Sequence, residues 1–302
     1  MKIGVVGTGT MGKNHARVYS ELKGVEDVYV FDVNGNNTAA MGKMGLIVCD
    51  SMKELFDCVD ATSICVPTKY HLDVARIAIE NNVHFLIEKP MTSTVEEGEE
   101  LSNSLQNKDL IVGVGHIERF NPIVNEISRM LVNPSLVEMR RLNPLSSRIT
   151  DSSVVEDLMI HDIDIIFNVF FNTKNYKINS SGNSDMCVAM ATFDKSTVSI
   201  SASRKSCKKI RSIYVEDENF TIEGDFMTQE IYTYWRPETY GIERAKYTQE
   251  NIIEKIIVNK VEPLKLELGT FVDCVIKRAE FPVTIEQSLS NIKICEEIKA
   301  GL

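Results

Sequence analysis

The chain has 302 residues, 43% of them hydrophobic and 25% charged, with a formal net charge of −10. That composition excludes a disordered chain, and its sign excludes non-specific attraction to nucleic acid or anionic lipid. The length is generous for one hydrophobic core and comfortable for two.

No uncharged apolar run reaches the roughly 18 residues of a bilayer span, and a strand that begins at Lys2 leaves no room for a signal peptide. The expectation is a cytoplasmic protein with no membrane partner. Seven cysteines stand at scattered positions without a CxxC or CxxH pair, which predicts free thiols and no bound metal.

In chain order, β-rich runs at 2–6, 28–33, 46–48, 61–66, 83–87 and 110–114 alternate with helical patterns at 12–22, 52–58, 71–81 and 94–107. Ser51-x-x-Glu54 and Thr94-x-x-Glu97 are capping boxes that start two of these helices. Alternating strands and helices predict a parallel sheet covered on both faces. The pattern then changes: a helix at 122–132, a strand at 136–142 and a long amphipathic helix at 154–171. From 186 to 234, short strands separated by turn signals predict an antiparallel meander, before helices at 263–278 and 285–299. The expected fold is a Rossmann α/β domain, a doubly wound parallel sheet, over 1–118. It is followed over 119–302 by an α+β substrate-binding and oligomerisation domain with an open, mostly antiparallel sheet.

Gly7-Thr8-Gly9-Thr10-Met11-Gly12 places GxGxxG directly after the first strand and at the start of a helix. The first glycine permits the turn, the second admits a pyrophosphate to the backbone, and the third lets helix and strand pack. Asp32 ends the second strand 20 residues after Gly12, where a carboxylate accepts hydrogen bonds from ribose hydroxyls. It would also repel a 2′-phosphate, and 33–36 supply no cation, so the expected cofactor is NAD. The plainer reading of Asp32 is a turn cap before Asn34-Gly35.

Further segments follow: Cys65-Val66-Pro67-Thr68-Lys69-Tyr70-His71, Glu88-Lys89-Pro90, Gly115-His116-Ile117-Glu118-Arg119-Phe120-Asn121-Pro122, and Asp157-Leu158-Met159-Ile160-His161-Asp162-Ile163-Asp164. In this order they resemble the glucose–fructose oxidoreductase/inositol dehydrogenase/MocA (Gfo/Idh/MocA) family across essentially the whole chain. The resemblance implies that Lys89 lies beside the nicotinamide and the reacting carbinol, that Glu88 contacts the nicotinamide ribose, and that Lys89–Pro90 is a cis bond. It implies that Val66, Pro67, Thr68 and His71 belong to the cofactor groove, with His71 also read as the start of the following helix. His161 becomes a second acid/base candidate, with Asp157 its neighbour toward substrate. In a regular helix Asp157, His161 and Asp164 share one face, while Asp162 points elsewhere and is read as structural.

Arg140, Arg141 and Arg148, with Asp151 close behind, form a basic cluster in an acidic chain. They suggest an anionic substrate, with Arg119 in another substrate-facing segment. Part of a second basic run, Arg204-Lys205 to Lys208-Lys209-Ile210-Arg211, is read as exposed sheet surface. Within the family, the segments are most similar to UDP-N-acetylglucosamine 3-dehydrogenases, except that Ser153 stands where that pattern has glycine. The implied activity is NAD-dependent oxidation of a sugar hydroxyl to a ketone by a homodimer or homotetramer. Other sugars, sugar phosphates or inositol are alternative substrates. An NAD-dependent glycoside hydrolase or a non-catalytic NAD sensor are alternatives of another class.

Overall fold

A computed structural model describes residues 1–144, 152–236, 240–243, 246–249 and 252–302. It divides the chain into two units, Met1–Phe120 with Glu262–Lys293, and Asn121–Val261 with Ile294–Leu302.

The first unit alternates β1 (Lys2–Val6), α1 (Thr10–Glu21), β2 (Asp27–Phe31), α2 (Gly35–Gly42), β3 (Ile47–Val48), α3 (Met52–Cys58), β4 (Ala61–Ile64), α4 (His71–Glu80), β5 (His84–Glu88), α5 (Val95–Ser104) and β6 (Val112–Gly115). The strands form one parallel sheet in the order β3-β2-β1-β4-β5-β6. The order in which the strands are added reverses between β1 and β4, the crevice where such sheets take their ligands. Central strands β4 and β5 are buried along their whole length, as expected of strands covered on both faces. The two capping boxes hold: Ser51 and Thr94 accept from the amides of Glu54 and Glu97. The helix α2 lies in a Gly- and Asn-rich stretch without apolar periodicity, so only its Asn34 cap was a local signal.

In the second unit, α6 (Pro122–Met130) precedes β7 (Leu136–Leu142), and a continuous helical run at 155–170 contains α7 (Ile160–Ile165) between two π-helical turns. Strands β8 (Lys177–Asn183), β9 (Met186–Phe193), β10 (Ser196–Ser203), β11 (Ile210–Glu216), β12 (Phe220–Asp225) and β13 (Glu230–Trp235) follow. Then come β14 (Tyr240–Glu243), β15 (Lys246–Gln249) and β16 (Ile252–Ile256). Among the described residues, eight strands make one sheet in the order β16-β13-β12-β11-β7-β10-β9-β8, antiparallel except where β7 runs parallel to β10. Its inner face carries Cys187, Ala189, Ala191, Val198, Ile200 and Ala202, packed in one core with the apolar stripe of 155–170.

The boundary expected at 118/119 falls at Phe120, but the second half is not one continuous piece. Helix α8 (Pro263–Lys277) and the start of α9 (Ile285–Ala300) belong to the first unit, because Leu264, Leu268, Phe271, Val272, Ile285 and Ile292 bury in its core. Periodicity marked these stretches as helices and could not say which core received them. Phe271, fully buried against Phe281 at 5.9 Å between ring centres, offers a check. Phe271→Ala should lower unfolding stability by about 3–5 kcal/mol, read from urea denaturation.

Candidate active site

The glycines of the first turn divide the labour as their spacing suggests. Gly7 has φ +87°, and a Cβ there would stand 2.7 Å from the amide nitrogen of Val66. A Cβ on Gly12 would stand 1.8 Å from the Gly7 carbonyl oxygen, so helix and turn touch backbone to backbone. A Cβ on Gly9 would meet nothing within 4 Å, which leaves open space for a ligand. Gly9 and Thr10 are exposed and Met11 half-buried at the start of α1, whose N-terminus has no side-chain cap and no acidic residue in its first turn. Free amides and the positive end of the helix dipole therefore remain for a diphosphate.

Asp32 plays the plainer part and more. Its Oδ1 accepts from the Asn34 amide at 2.8 Å, which is the turn cap. Its Oδ2 accepts from the Thr8 amide at 2.7 Å, the Thr8 hydroxyl at 3.1 Å and the Asn37 side chain at 3.2 Å. Burial works against ionisation, but the amides of Asn34 and Thr8 and then the two side chains outweigh it and hold the carboxyl below the usual aspartate range. Thr8, between two glycines, drew no attention as a residue type; its bond to Asp32 ties the glycine turn to the end of β2.

At the end of β5, Lys89 is half-buried and its bond to Pro90 is cis. Glu88 is buried beneath it. Its Oε1 accepts from His15 Nε2 at 2.9 Å and its Oε2 from the Lys89 amide at 3.1 Å. That placement gives the carboxylate internal partners. His71 departs from the expected cofactor contact. It is buried as the first residue of α4, with Nε2 2.8 Å from the Val66 carbonyl and Nδ1 3.0 Å from that of Pro90. Burial pushes its imidazole below the usual range. The ring pins two loops together from the start of α4, the helix His71 was read as opening. Of the groove residues, Pro67 is exposed, and Val66 and Thr68 are half-buried.

In the second unit, Asp157 and His161 are half-buried, whereas Asp164, expected on their face, is buried and accepts from Asn168 at 3.1 Å. The π-helical turn at Val155–Met159 changes the angular step between Asp157 and His161, whereas His161 and Asp164 lie three residues apart in the regular helix α7. Ser153 and Glu156 cap that turn: the Ser153 amide and hydroxyl each donate to Glu156 Oε2 at 3.1 Å. Serine at 153 therefore has a local role that glycine could not supply.

The arginines are not one patch. Strand alternation sends Arg140 to the exposed face of β7 and Arg141 to the interior. There Arg141, 2% exposed, pairs with Asp162 at 2.6 Å. Arg141 is therefore a structural residue and not the substrate contact expected of it, and Asp162 is structural as expected. Arg148 and Asp151 lie outside the described residues. Arg119 donates to Gln287 at 2.7 Å and to the Pro282 carbonyl at 3.3 Å. Arg204, at the head of the second basic run, is buried with Nε 3.4 Å from Asp157 Oδ2, and donates to the Ser152 carbonyl at 2.8 Å. Its burial at the end of β10 was invisible to a composition-based reading of the basic run 204–211.

Residues 1–116 match the family described as oxidoreductases with an NAD-binding Rossmann fold. UDP-N-acetylglucosamine 3-dehydrogenase of Acidithiobacillus ferrooxidans is 31% identical over 245 residues, covering 78% of this chain and 77% of the relative. The chain belongs to the Gfo/Idh/MocA oxidoreductase family. The cofactor of its first unit is NAD, and the exposed glycine cradle fits that group. Glucose-6-phosphate 3-dehydrogenase of Bacillus subtilis is 27% identical over 56% of this chain and 53% of its own length. A solved structure of the Acidithiobacillus enzyme superposes on the whole chain with a TM-score of 0.87 at 24% identity, covering 97% of that chain, and agrees in fold.

Two outcomes follow from the bonded carboxylates. Asp162→Ala leaves the Arg141 charge buried and should cost about 3–5 kcal/mol of stability, whereas replacing both partners by apolar residues should recover most of it in urea unfolding. The lowered Asp32 carboxyl contributes stability that is present above its unfolded pKa and lost as pH falls through its folded value. An Asp32→Asn chain should show a shallower loss of stability on acidification below the usual carboxylate range.

Proposed function

We propose that the protein oxidises the 3-hydroxyl of UDP-N-acetylglucosamine to a ketone, passing a hydride to NAD and a proton to the protein. The observation that carries the dehydrogenase reading is Lys89 at the carboxyl end of β5, in an NAD-binding sheet, above an ionised Glu88. The similarity to UDP-N-acetylglucosamine 3-dehydrogenase over 77% of that enzyme supports the substrate. The arginine cluster no longer does, since Arg141 is internal. Glucose-6-phosphate and inositol dehydrogenases match about half of the chain, which keeps a simpler sugar as the second reading.

NAD supplies the hydride acceptor. Lys89 takes the hydroxyl proton as carbon–hydrogen cleavage proceeds, a role that general acid–base catalysis assigns to a positioned amine. His161 acts as the second acid/base group, and Asp157 and Arg204 hold its surroundings charged and ordered. Pro67 and Thr68 line the cofactor groove, and Asp32 faces the adenosine ribose, selecting NAD over NADP. Arg119 and, in the 145–151 segment, Arg148 and Asp151 are the remaining substrate-side candidates.

No helix among the described residues is long and apolar enough to cross a membrane; the proposed setting is cytoplasmic. The outer sheet face exposes Met186, Val188 and Met190 on β9, and a second copy of the chain is the proposed cover.

A nucleotide-sugar panel followed by NADH absorbance, with mass analysis of the product, tests the substrate. UDP-N-acetylglucosamine should lead, and equal rates with free glucose or inositol would overturn it. Lys89→Met should cut kcat by about 100-fold or more with NAD affinity nearly unchanged. NAD should bind at least tenfold tighter than NADP, about 1.4 kcal/mol, and Asp32→Ser should narrow that gap in calorimetry. A monomeric mass at micromolar concentration would count against the sheet-face dimer.

A further inference from the structure

Just past the end of β10, Arg204 carries a charge into the interior of the second unit. Its guanidinium grips the start of the helical run at 155–170 in two places. Nη2 donates to the Ser152 carbonyl at 2.8 Å, directly before the Ser153–Glu156 cap. Nε stands 3.4 Å from Asp157 Oδ2, inside the π-helical turn. The second contact is an ion pair without hydrogen-bond alignment, so it acts through charge and distance.

Both sides of this arrangement hang on one turn between β8 and β9. The Arg204 amide donates to the Asp185 carbonyl at 2.9 Å, and the Val154 amide to the Ser184 carbonyl at 2.8 Å. Asn183 Oδ1 stiffens that turn by accepting from the amides of Asp185 and Met186 at 2.9 and 3.1 Å. Lys205, next along the chain, adds an ion pair to Asp185 at 3.0 Å. Arginine and carboxylate are thus tied to the same short piece of backbone, which leaves little freedom in their separation.

The pair also differs from the other buried pair of this unit. Arg141 and Asp162 are sealed, with each side chain 2% exposed. The Arg204 side chain is 6% exposed and that of Asp157 16%, so a buried cation backs a carboxylate that keeps an opening. A pair that only joins two elements needs no opening, whereas a carboxylate that meets a ligand does.

We propose that Arg204 is a positioning residue for the reaction, fixing the charge and place of Asp157 and acting on turnover only through it, on the reading of Asp157 as the neighbour of His161 toward substrate. Arginine suits the task because its planar fork presents Nε and Nη2 in two directions at once, one for each partner. A lysine ammonium at this position would keep the charge but could not span both.

A double-mutant cycle on the full chain tests this, with NAD saturating and the fastest sugar of the panel, UDP-N-acetylglucosamine on the present reading. Arg204→Gln should lower kcat about tenfold or more, as misplacing a reacting group does. Calorimetric NAD affinity should stay at the wild-type value, because the glycine cradle belongs to the first unit. In an Asp157→Asn background the same substitution should change kcat by less than about twofold, since the carboxylate it acts through is already gone. Equal factors in both backgrounds would overturn the inference, because the arginine would then act without Asp157. Arg204→Lys should recover part of the kcat lost in Arg204→Gln, and no recovery would count against it equally. A merely structural pair would lower the melting temperature and leave kcat of the folded Arg204→Gln enzyme at the wild-type value. If Arg204→Gln does not fold, Arg204→Lys in the two backgrounds decides by the same cycle. Normal kcat in Asp157→Asn would overturn the reading of Asp157 and the inference with it, whereas an impaired Asp157→Asn with equal factors sinks the inference alone.

Discussion

Backbone contact at Gly7 and Gly12 is the constraint from which the first unit is built. The Gly7 amide donates to the Phe31 carbonyl at 2.8 Å, its α-carbon faces Cys65 and Val66, and Gly12 rests on its carbonyl. The ends of β1, β2 and β4 and the start of α1 are thereby brought within van der Waals distance of one turn. A methyl group at either glycine would push two strands and a helix apart. Everything else at the cofactor edge follows from this closeness: Thr8 reaches Asp32, and the open side of Gly9 faces solvent.

Each unit also commits charge to its interior. His15–Glu88 lies beneath Lys89 in the first unit, and Arg141–Asp162 joins β7 to α7 in the second. Such pairs give up so much solvation that they add little net stability, but breaking one leaves a buried charge and is strongly unfavourable. They act as registration pins: a strand or helix shifted by one position would bury a charge without its partner. In the first unit the pin lies one residue from Lys89, so the same bond that sets register also sets the charge behind the lysine.

Much of the cofactor edge was legible because its logic is local. Glycine spacing, a strand-ending aspartate and Glu-Lys-Pro are read within a few residues, and each stands where the turn geometry needs it. The substrate side was less legible. Adjacent arginines look like one patch until strand alternation sends Arg140 and Arg141 to opposite faces. The π-helical turn that precedes α7 is one that no propensity marks. Nothing near Arg204 in sequence revealed Asp157, which it meets only in the folded chain.

Local pattern alone was enough for the parallel α/β half, the sheet-rich second half, the helix caps and the dinucleotide turn, since hydrophobic period, cap chemistry and glycine freedom act over one or two turns of chain. Which core receives α8, why His71 clamps two loops, and how His15, Glu88 and Glu267 come together were decided only by the folded chain. The physical reason is separation: Glu88 lies 73 residues from His15, and Glu267 follows much later still. No local rule couples them until burial removes the water that would otherwise screen each charge.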